Sequence, residues 1–166
     1  MVPQLTVIDH TKNDVPRDFV RNIAEHFFSY LSDKKILPND IPCSLTIVFV
    51  TIEEITRYNK IYRNKSVPTD VLSFCAMDGD HELNESVIGS GESVGYGDVL
   101  ICKEVVKQNA IRYKVSQEEE LSRVIVHGIL HLIGYEHSGV VGESKEKMIQ
   151  LQEDFIDNLK ARGFIK

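Results

Sequence analysis

Eleven residues, His127-Gly128-Ile129-Leu130-His131-Leu132-Ile133-Gly134-Tyr135-Glu136-His137, constrain this chain more than any other stretch. Residues four apart lie on one face of a helix, so His127 and His131 can point at a common centre from adjacent turns. A glycine at 134 can take the left-handed conformation that ends a helix and turns the chain back, which would bring His137 to the same centre. A bare His-x-x-x-His pair reads as two ordinary helix residues; Gly134 and His137 in register change that reading. The stretch predicts a helix, a turn and a three-histidine metal site with an open coordination position, the arrangement of catalytic rather than structural zinc.

The array fits the zinc-peptidase spacing H-E-x-x-H-x-x-G-x-x-H at every fixed position but the second, which is Gly128. In those peptidases that glutamate takes a proton from the metal-bound water, and glycine has no side chain with which to do so. The ligand geometry survives and the peptidase chemistry does not.

The chain has 166 residues, enough for one domain over 1–166 to bury most of its apolar surface without disulfides or a structural metal. The metal is thus available for chemistry. Hydrophobic residues at 42% and charged residues at 27% match a soluble globular protein, and no apolar run approaches a membrane span. Met1 to Asp9 lacks a basic flank and a long apolar segment, so the expected compartment is the cytoplasm, with no membrane partner. Cys43, Cys75 and Cys102 are odd in number and form no C-x-x-C pair; they read as reduced, buried residues within strands.

A formal net charge of −6 argues against a surface that grips nucleic acid everywhere by counterion release, and DNA is not an expected partner. Any nucleic-acid contact must be local. Asp78, Asp80, Glu82, Glu85 and Glu92 crowd one stretch, and Glu118 to Glu120 open a helix. Between Arg57 and Lys65 the balance reverses, with Arg57, Lys60, Arg63 and Lys65 and no acidic residue.

Strand patterns fall at Leu5 to Ile8, Ser44 to Val50, Val71 to Cys75 and Val99 to Cys102. Pro16 fits a first helical position, after which Phe19, Ile23, Phe27 and Leu31 recur at the helical period. Ile52, Ile55, Tyr58 or Asn59, and Tyr62 form a second stripe, with Arg57, Lys60 and Arg63 or Asn64 on another face. Lys103 to Tyr113 predicts a third helix with Val105, Val106 and Ala110 inward. Ser116-Gln117-Glu118-Glu119 has the form of a capping box opening the metal helix, whose core stripe is Leu121, Val124, Ile125, Gly128 and Leu132, with both histidines on its flank. A last helix spans about Glu143 to Ala161, with Met148, Leu151, Phe155 and Leu159 inward and Gly163 as its stop. Ala76 to Gly97 is glycine-rich and acidic, without periodicity, and reads as a long loop whose His81 is solvated.

The His-Gly-x-Leu-His-Leu-x-Gly-Tyr-acid-His block resembles the signature of the YbeY family of bacterial rRNA-maturation endoribonucleases. Asn59-Lys60-Ile61-Tyr62-Arg63 followed by Thr69-Asp70-Val71-Leu72-Ser73-Phe74 is similar to that family's arginine-bearing motif, and Gly97-Asp98-Val99-Leu100-Ile101 to its Gly-Asp strand. Glu136 departs from the family's usual Asp without disturbing the histidine spacing. The resemblance implies an α+β fold, a small mixed sheet of about four strands covered by about five helices, with the metal site at the end of a central helix. It implies one Zn²⁺ per chain held by His127, His131 and His137, and catalysis by His127 with Arg63 lining the same cleft. It also implies single-strand-specific cleavage in maturation of the 16S rRNA 3′ end and in 70S ribosome quality control. The implied partners are small-subunit precursor rRNA, small-subunit proteins or an assembly GTPase.

Phosphodiester cleavage builds charge on non-bridging oxygens, which a permanently protonated guanidinium can hold in a fork. Zinc held by neutral imidazoles lowers the pKa of its water to about 7, so hydroxide is available without a protein base; the RNA 2′-hydroxyl is the other candidate nucleophile. Lys60, Arg63 and Lys65 are the candidate RNA-binding residues. Asp70 or Asp98 could act as a base; the simpler reading has Asp70 orient a turn and Asp98 start a strand. Two other functions compete: a different metal-dependent hydrolase, and an assembly factor that binds rRNA or a ribosomal protein without cutting.

Overall fold

In the computed structural model, residues 3–12, 14–37, 44–75, 95–135 and 145–166 are described. Four strands form one mixed sheet: β1 (Gln4–Asp9), β2 (Ser44–Phe49), β3 (Val71–Cys75) and β4 (Gly95–Ile101), in the order β1-β2-β4-β3. β1 and β4 run parallel to β2, and β3 closes the sheet antiparallel to β4. Leu45, Ile47 and Phe49 of β2 point to one face while Val48 and Val50 point to the other, and all five are buried. Such apolarity on both faces is what a covered, parallel-paired strand requires.

Five helices supply the cover. α1 (Arg17–Asp33) buries Val20, Ile23, Ala24, Phe27, Phe28 and Leu31, and Pro16 is its N-cap, one position earlier than expected. α2 (Ile52–Arg63) opens with a capping box: the Glu54 amide donates to the Thr51 hydroxyl at 3.2 Å, and the Thr51 amide to the Glu54 carboxylate at 2.9 Å. These two bonds satisfy amides that a helix start otherwise leaves open. α3 (Lys103–Tyr113), α4 (Gln117–Leu132) and α5 (Lys145–Ala161) complete the set. α1, α4 and α5 share the larger core with one face of the sheet, while α2 covers part of the other face. Phe27, Ile125 and Ile129 are among the fully buried side chains, each stabilising the fold by about 1.5–3 kcal/mol.

α4 is central, packing against α1, α3, α5, β3 and β4. Its approach to the sheet depends on Gly128: a Cβ there would lie 2.7 Å from Val99 Cγ1, inside van der Waals contact. The Ser73 hydroxyl of β3 donates to the Gly128 carbonyl at 3.3 Å across the same contact.

Four expectations change in detail. β4 begins at Gly95, so it takes in the last residues assigned to the long loop, and Asp98 sits within the strand rather than starting it. Cys102 follows β4 as the buried N-cap of α3, and Cys75, the last residue of β3, is half-buried; both are free thiols. The Ser116 hydroxyl accepts from the Glu119 amide at 3.0 Å, but the Glu119 carboxylate turns to Arg123 and Lys160 instead of reaching back. Cys43, His81 with residues 76–94, Glu136, His137 and the expected start of α5 at Glu143 lie outside the described residues. No described helix is long and apolar enough to cross a membrane.

Candidate metal centre and cleft

α4 ends as its sequence predicts. Gly134 has φ +101°; its amide donates to the His131 carbonyl and the Tyr135 amide to the Leu130 carbonyl, each at 3.1 Å. This pair of bonds is the Schellman motif, which caps two carbonyls and reverses the chain. Tyr135 and Leu130, the residues at its two ends, are both buried in the main core, so the turn is anchored.

Within the last two turns of α4, His127 and His131 converge. Their Nε2 atoms are 3.0 Å apart, with the rings nearly perpendicular at 82°. Two nitrogens bound to one tetrahedral zinc at about 2.0–2.1 Å lie about 3.3 Å from each other. The observed separation, which also suits a hydrogen bond between the two rings, is close to that spacing. Among the described residues no group of three His, Cys, Asp or Glu side chains forms a complete ligand set, and the expected third ligand, His137, lies outside them.

Both imidazoles open onto a cleft of about 210 Å³. Arg63, the last residue of α2, lines the same cleft, as do Thr69 and Asp70 before β3, Ser73 of β3, Glu120 and Arg123 of α4, and Gln152 of α5. Arg63 is exposed, so its guanidinium is accessible to a solute. The segment that carries it is held by Asn59, a buried residue of the arginine-bearing motif whose amide nitrogen donates to the Val67 carbonyl at 2.8 Å. Lys60 and Lys65 are exposed and are not among the lining residues of the cleft.

Asp70 stands in the cleft with its carboxylate accepting from Asn109 at 3.1 Å and from the Thr69 hydroxyl at 3.2 Å. Its carbonyl also accepts from the Cys102 amide, tying β3 to the start of α3. These bonds fit a residue that orients a turn. Asp98 is elsewhere: it shares strand parity with Leu100 of the α2-side core, whereas Val99 meets α4. Burial raises its carboxyl above the ordinary value, opposed by a hydrogen bond with Thr46. Asp98 therefore faces away from the cleft, which removes it as a base for chemistry there.

The cleft wall holds a charge cluster that periodicity does not reveal. Arg123 meets Glu153 through Nε at 2.8 Å and Nη2 at 3.0 Å, Glu119 at 2.9 Å and Glu120 at 3.3 Å. Burial raises Glu120, with the Arg123 charge opposing and Asp70 reinforcing the shift. For Glu119 burial also raises the carboxyl, but the bonds and charges of Lys160 and Arg123 together outweigh it and hold the group low. Glu153 is held low first by its bond with Arg123. Gln152 was detectable in principle: it sits four residues after Met148 and three before Phe155, as a polar side chain on the buried stripe of α5.

Comparison with known proteins places the chain in a family. The family model described as Endoribonuclease YbeY matches residues 6–160. A relative from Leuconostoc mesenteroides subsp. mesenteroides named Endoribonuclease YbeY is 37% identical over 161 residues, covering 93% of this chain and 96% of the relative. One from Bacillus velezensis with the same name is 34% identical over 153 residues, covering 92% and 93%. The solution structure of TM1509 from Thermotoga maritima superposes with a TM-score of 0.58 at 26% identity, covering 96% of this chain and 91% of that one. The chain belongs to the YbeY family.

Proposed function

We propose that this chain is a zinc-dependent endoribonuclease that cuts single-stranded RNA in rRNA maturation, at the 16S rRNA 3′ end, and in 70S ribosome quality control. The observation that carries the reading is the convergence of His127 and His131 in the cleft that Arg63 lines. The curated relatives' name, Endoribonuclease YbeY, supports the reaction class. His127, His131 and His137 would hold one zinc ion per chain, a borderline metal suited to imidazole where hard cations want oxygen ligands. When bound, zinc supplies Lewis acidity toward a phosphoryl oxygen and lowers the pKa of water.

The chain's own residues bind and orient the RNA. Arg63 forks two non-bridging oxygens of the scissile phosphate and stabilises the charge that develops on them. Lys60 and Lys65, outside the cleft, hold flanking phosphates. Asp70, fixed by Asn109 and Thr69, orients the turn that forms one cleft wall. The substrate is small-subunit precursor rRNA, met in the cytoplasm together with small-subunit proteins or an assembly GTPase. The net charge of −6 also favours a second reading, an assembly factor that approaches rRNA through a basic ribosomal protein and cuts nothing.

Cleavage of precursor rRNA by metal-replete wild type, His131→Ala and Arg63→Ala, each checked for folding, separates these readings. Activity in the wild type and loss in both variants supports the nuclease. Equal cleavage by all three assigns the activity to a contaminant and favours the assembly factor.

A further inference from the structure

Gln152 of α5 places a buried polar side chain, 6% exposed, against the metal helix. Its Oε1 lies 3.0 Å from His127 Nδ1, and its Nε2 donates to Glu153 Oε1 at 2.9 Å. The orientation of this amide follows from chemistry. The Glu153 carboxylate, kept ionised by the two-pronged contact with Arg123, can only accept, so the amide nitrogen must face it. The amide oxygen then faces His127 and also can only accept. His127 must therefore carry its proton on Nδ1, which leaves the Nε2 lone pair directed at His131 and the cleft.

We infer that Gln152 is a positioning residue that selects the Nδ1–H tautomer of His127 and aims its Nε2 lone pair at the metal position. The inference rests on the proposed metal centre and deepens it. Metal-bound histidines commonly donate their second ring N–H to an acceptor that fixes the ring, and loss of that acceptor weakens metal binding. Here the acceptor is an amide tied through Glu153 to Arg123, one helical turn before His127 on α4. The connection closes on itself: α4 fixes Arg123, Arg123 fixes Glu153, and the neighbouring Gln152 orients the ring on α4. Because α5 provides two of these groups, the docking of α5 sets the direction of a ligand it does not itself carry.

The test is zinc affinity, measured by competition with a chromophoric chelator, for wild type, Gln152→Leu and Gln152→Glu. Long-range proton–nitrogen NMR correlation gives the His127 tautomer in zinc-free wild type. Gln152→Leu, which removes the acceptor, is expected to weaken zinc binding by about 10–100-fold, whereas Gln152→Glu, which keeps an oxygen acceptor, stays within about threefold of wild type on the same reasoning. Zinc-free wild type is expected to show the Nδ1–H form. Equal affinity in wild type and Gln152→Leu, or equal losses in both variants, overturns the inference and leaves the metal centre standing. Absence of zinc binding by wild type overturns the metal centre and the inference with it. Should Gln152→Leu not fold, the NMR measurement decides alone, because an Nε2–H tautomer of His127 contradicts the inference directly.

Discussion

His127 and His131 hold their Nε2 atoms 3.0 Å apart on adjacent turns of one helix, in a segment whose far end is locked by the turn at Gly134. A pair placed in advance in this way would bind an ion without first ordering the backbone. Ligand binding to the folded state alone raises stability by mass action, about 4 kcal/mol when free ligand is a thousand times its dissociation constant. Saturating zinc is therefore expected to raise the melting temperature of the wild type and leave that of His131→Ala nearly unchanged. Equal shifts in the two proteins would assign the effect to zinc bound elsewhere.

Gly128 departs from the peptidase pattern for a packing reason. The position faces Val99 on the sheet, where a Cβ would fall 2.7 Å from a stiff valine methyl. Gly128→Ala gains up to about 1 kcal/mol of helix propensity but overpacks the contact at a cost of about 1–3 kcal/mol. A net loss of stability of about 1 kcal/mol is expected in urea unfolding, and an increase would show that α4 can lift from the sheet freely. Gly128→Glu is expected to misfold rather than to gain peptidase activity, since its carboxylate would enter the core.

Arg63 is exposed and sits at the end of its helix, so its removal has little to do with the core. Arg63→Ala is expected to lower RNA cleavage by about 10²–10³-fold, the scale for loss of one charge-stabilising donor, with an unchanged unfolding midpoint. Arg63→Lys restores the charge without the fork and should recover only part of the rate. Full activity in Arg63→Lys would reduce the role of Arg63 to that of a point charge.

Arg123 sits among Glu119, Glu120 and Glu153, of which Glu119 and Glu120 are buried. Arg123→Met takes the Arg123 charge from the buried Glu120 and leaves Glu119 with Lys160 and Glu153 with Gln152, and is expected to destabilise the fold by about 3 kcal/mol at pH 7. The pH dependence follows from the same contacts. Glu153 and Glu119 have folded pKa values below the ordinary 4.5, so their stabilisation is present above 4.5 and is lost as pH falls through the lowered values. Glu120, raised by burial, works the other way: what it contributes is present below 4.5 and is lost as pH rises through its raised value. The contribution of Glu153 should therefore be lost as pH drops below about 4.5, so unfolding free energy should fall more steeply there in the wild type than in Glu153→Gln. An equal slope in that variant would remove Glu153 from the acid-sensitive set.

Much of this molecule is written in local pattern. The inward positions of α4 and α5, the exposed basic face of α2 and the turn at Gly134 all follow from periodicity or from a single residue's backbone freedom. Pairing across the sheet does not: β3 inserts its Ser73 beside Gly128 from 55 residues away, a separation to which local periodicity is blind. The same holds for Arg123, which reads as an ordinary residue of its own helix until α4 and α5 meet. Gln152 stands out as a polar residue on a buried stripe, but its partner His127 does not follow from that pattern. Asp98 shows the limit of motif reading: its place in a recognisable motif left a catalytic role open beside the favoured structural one, and strand parity turns it to the other face of the sheet.

The central claim is a metal centre built on α4. The most direct test is metal content per chain together with X-ray absorption at the zinc edge, for wild type and His131→Ala purified side by side. One zinc per wild-type chain in a nitrogen-rich shell dominated by imidazole, and loss of that zinc in the folded variant, is the predicted result. A wild type that holds no stoichiometric metal, or a His131→Ala that retains the same zinc shell, would contradict it.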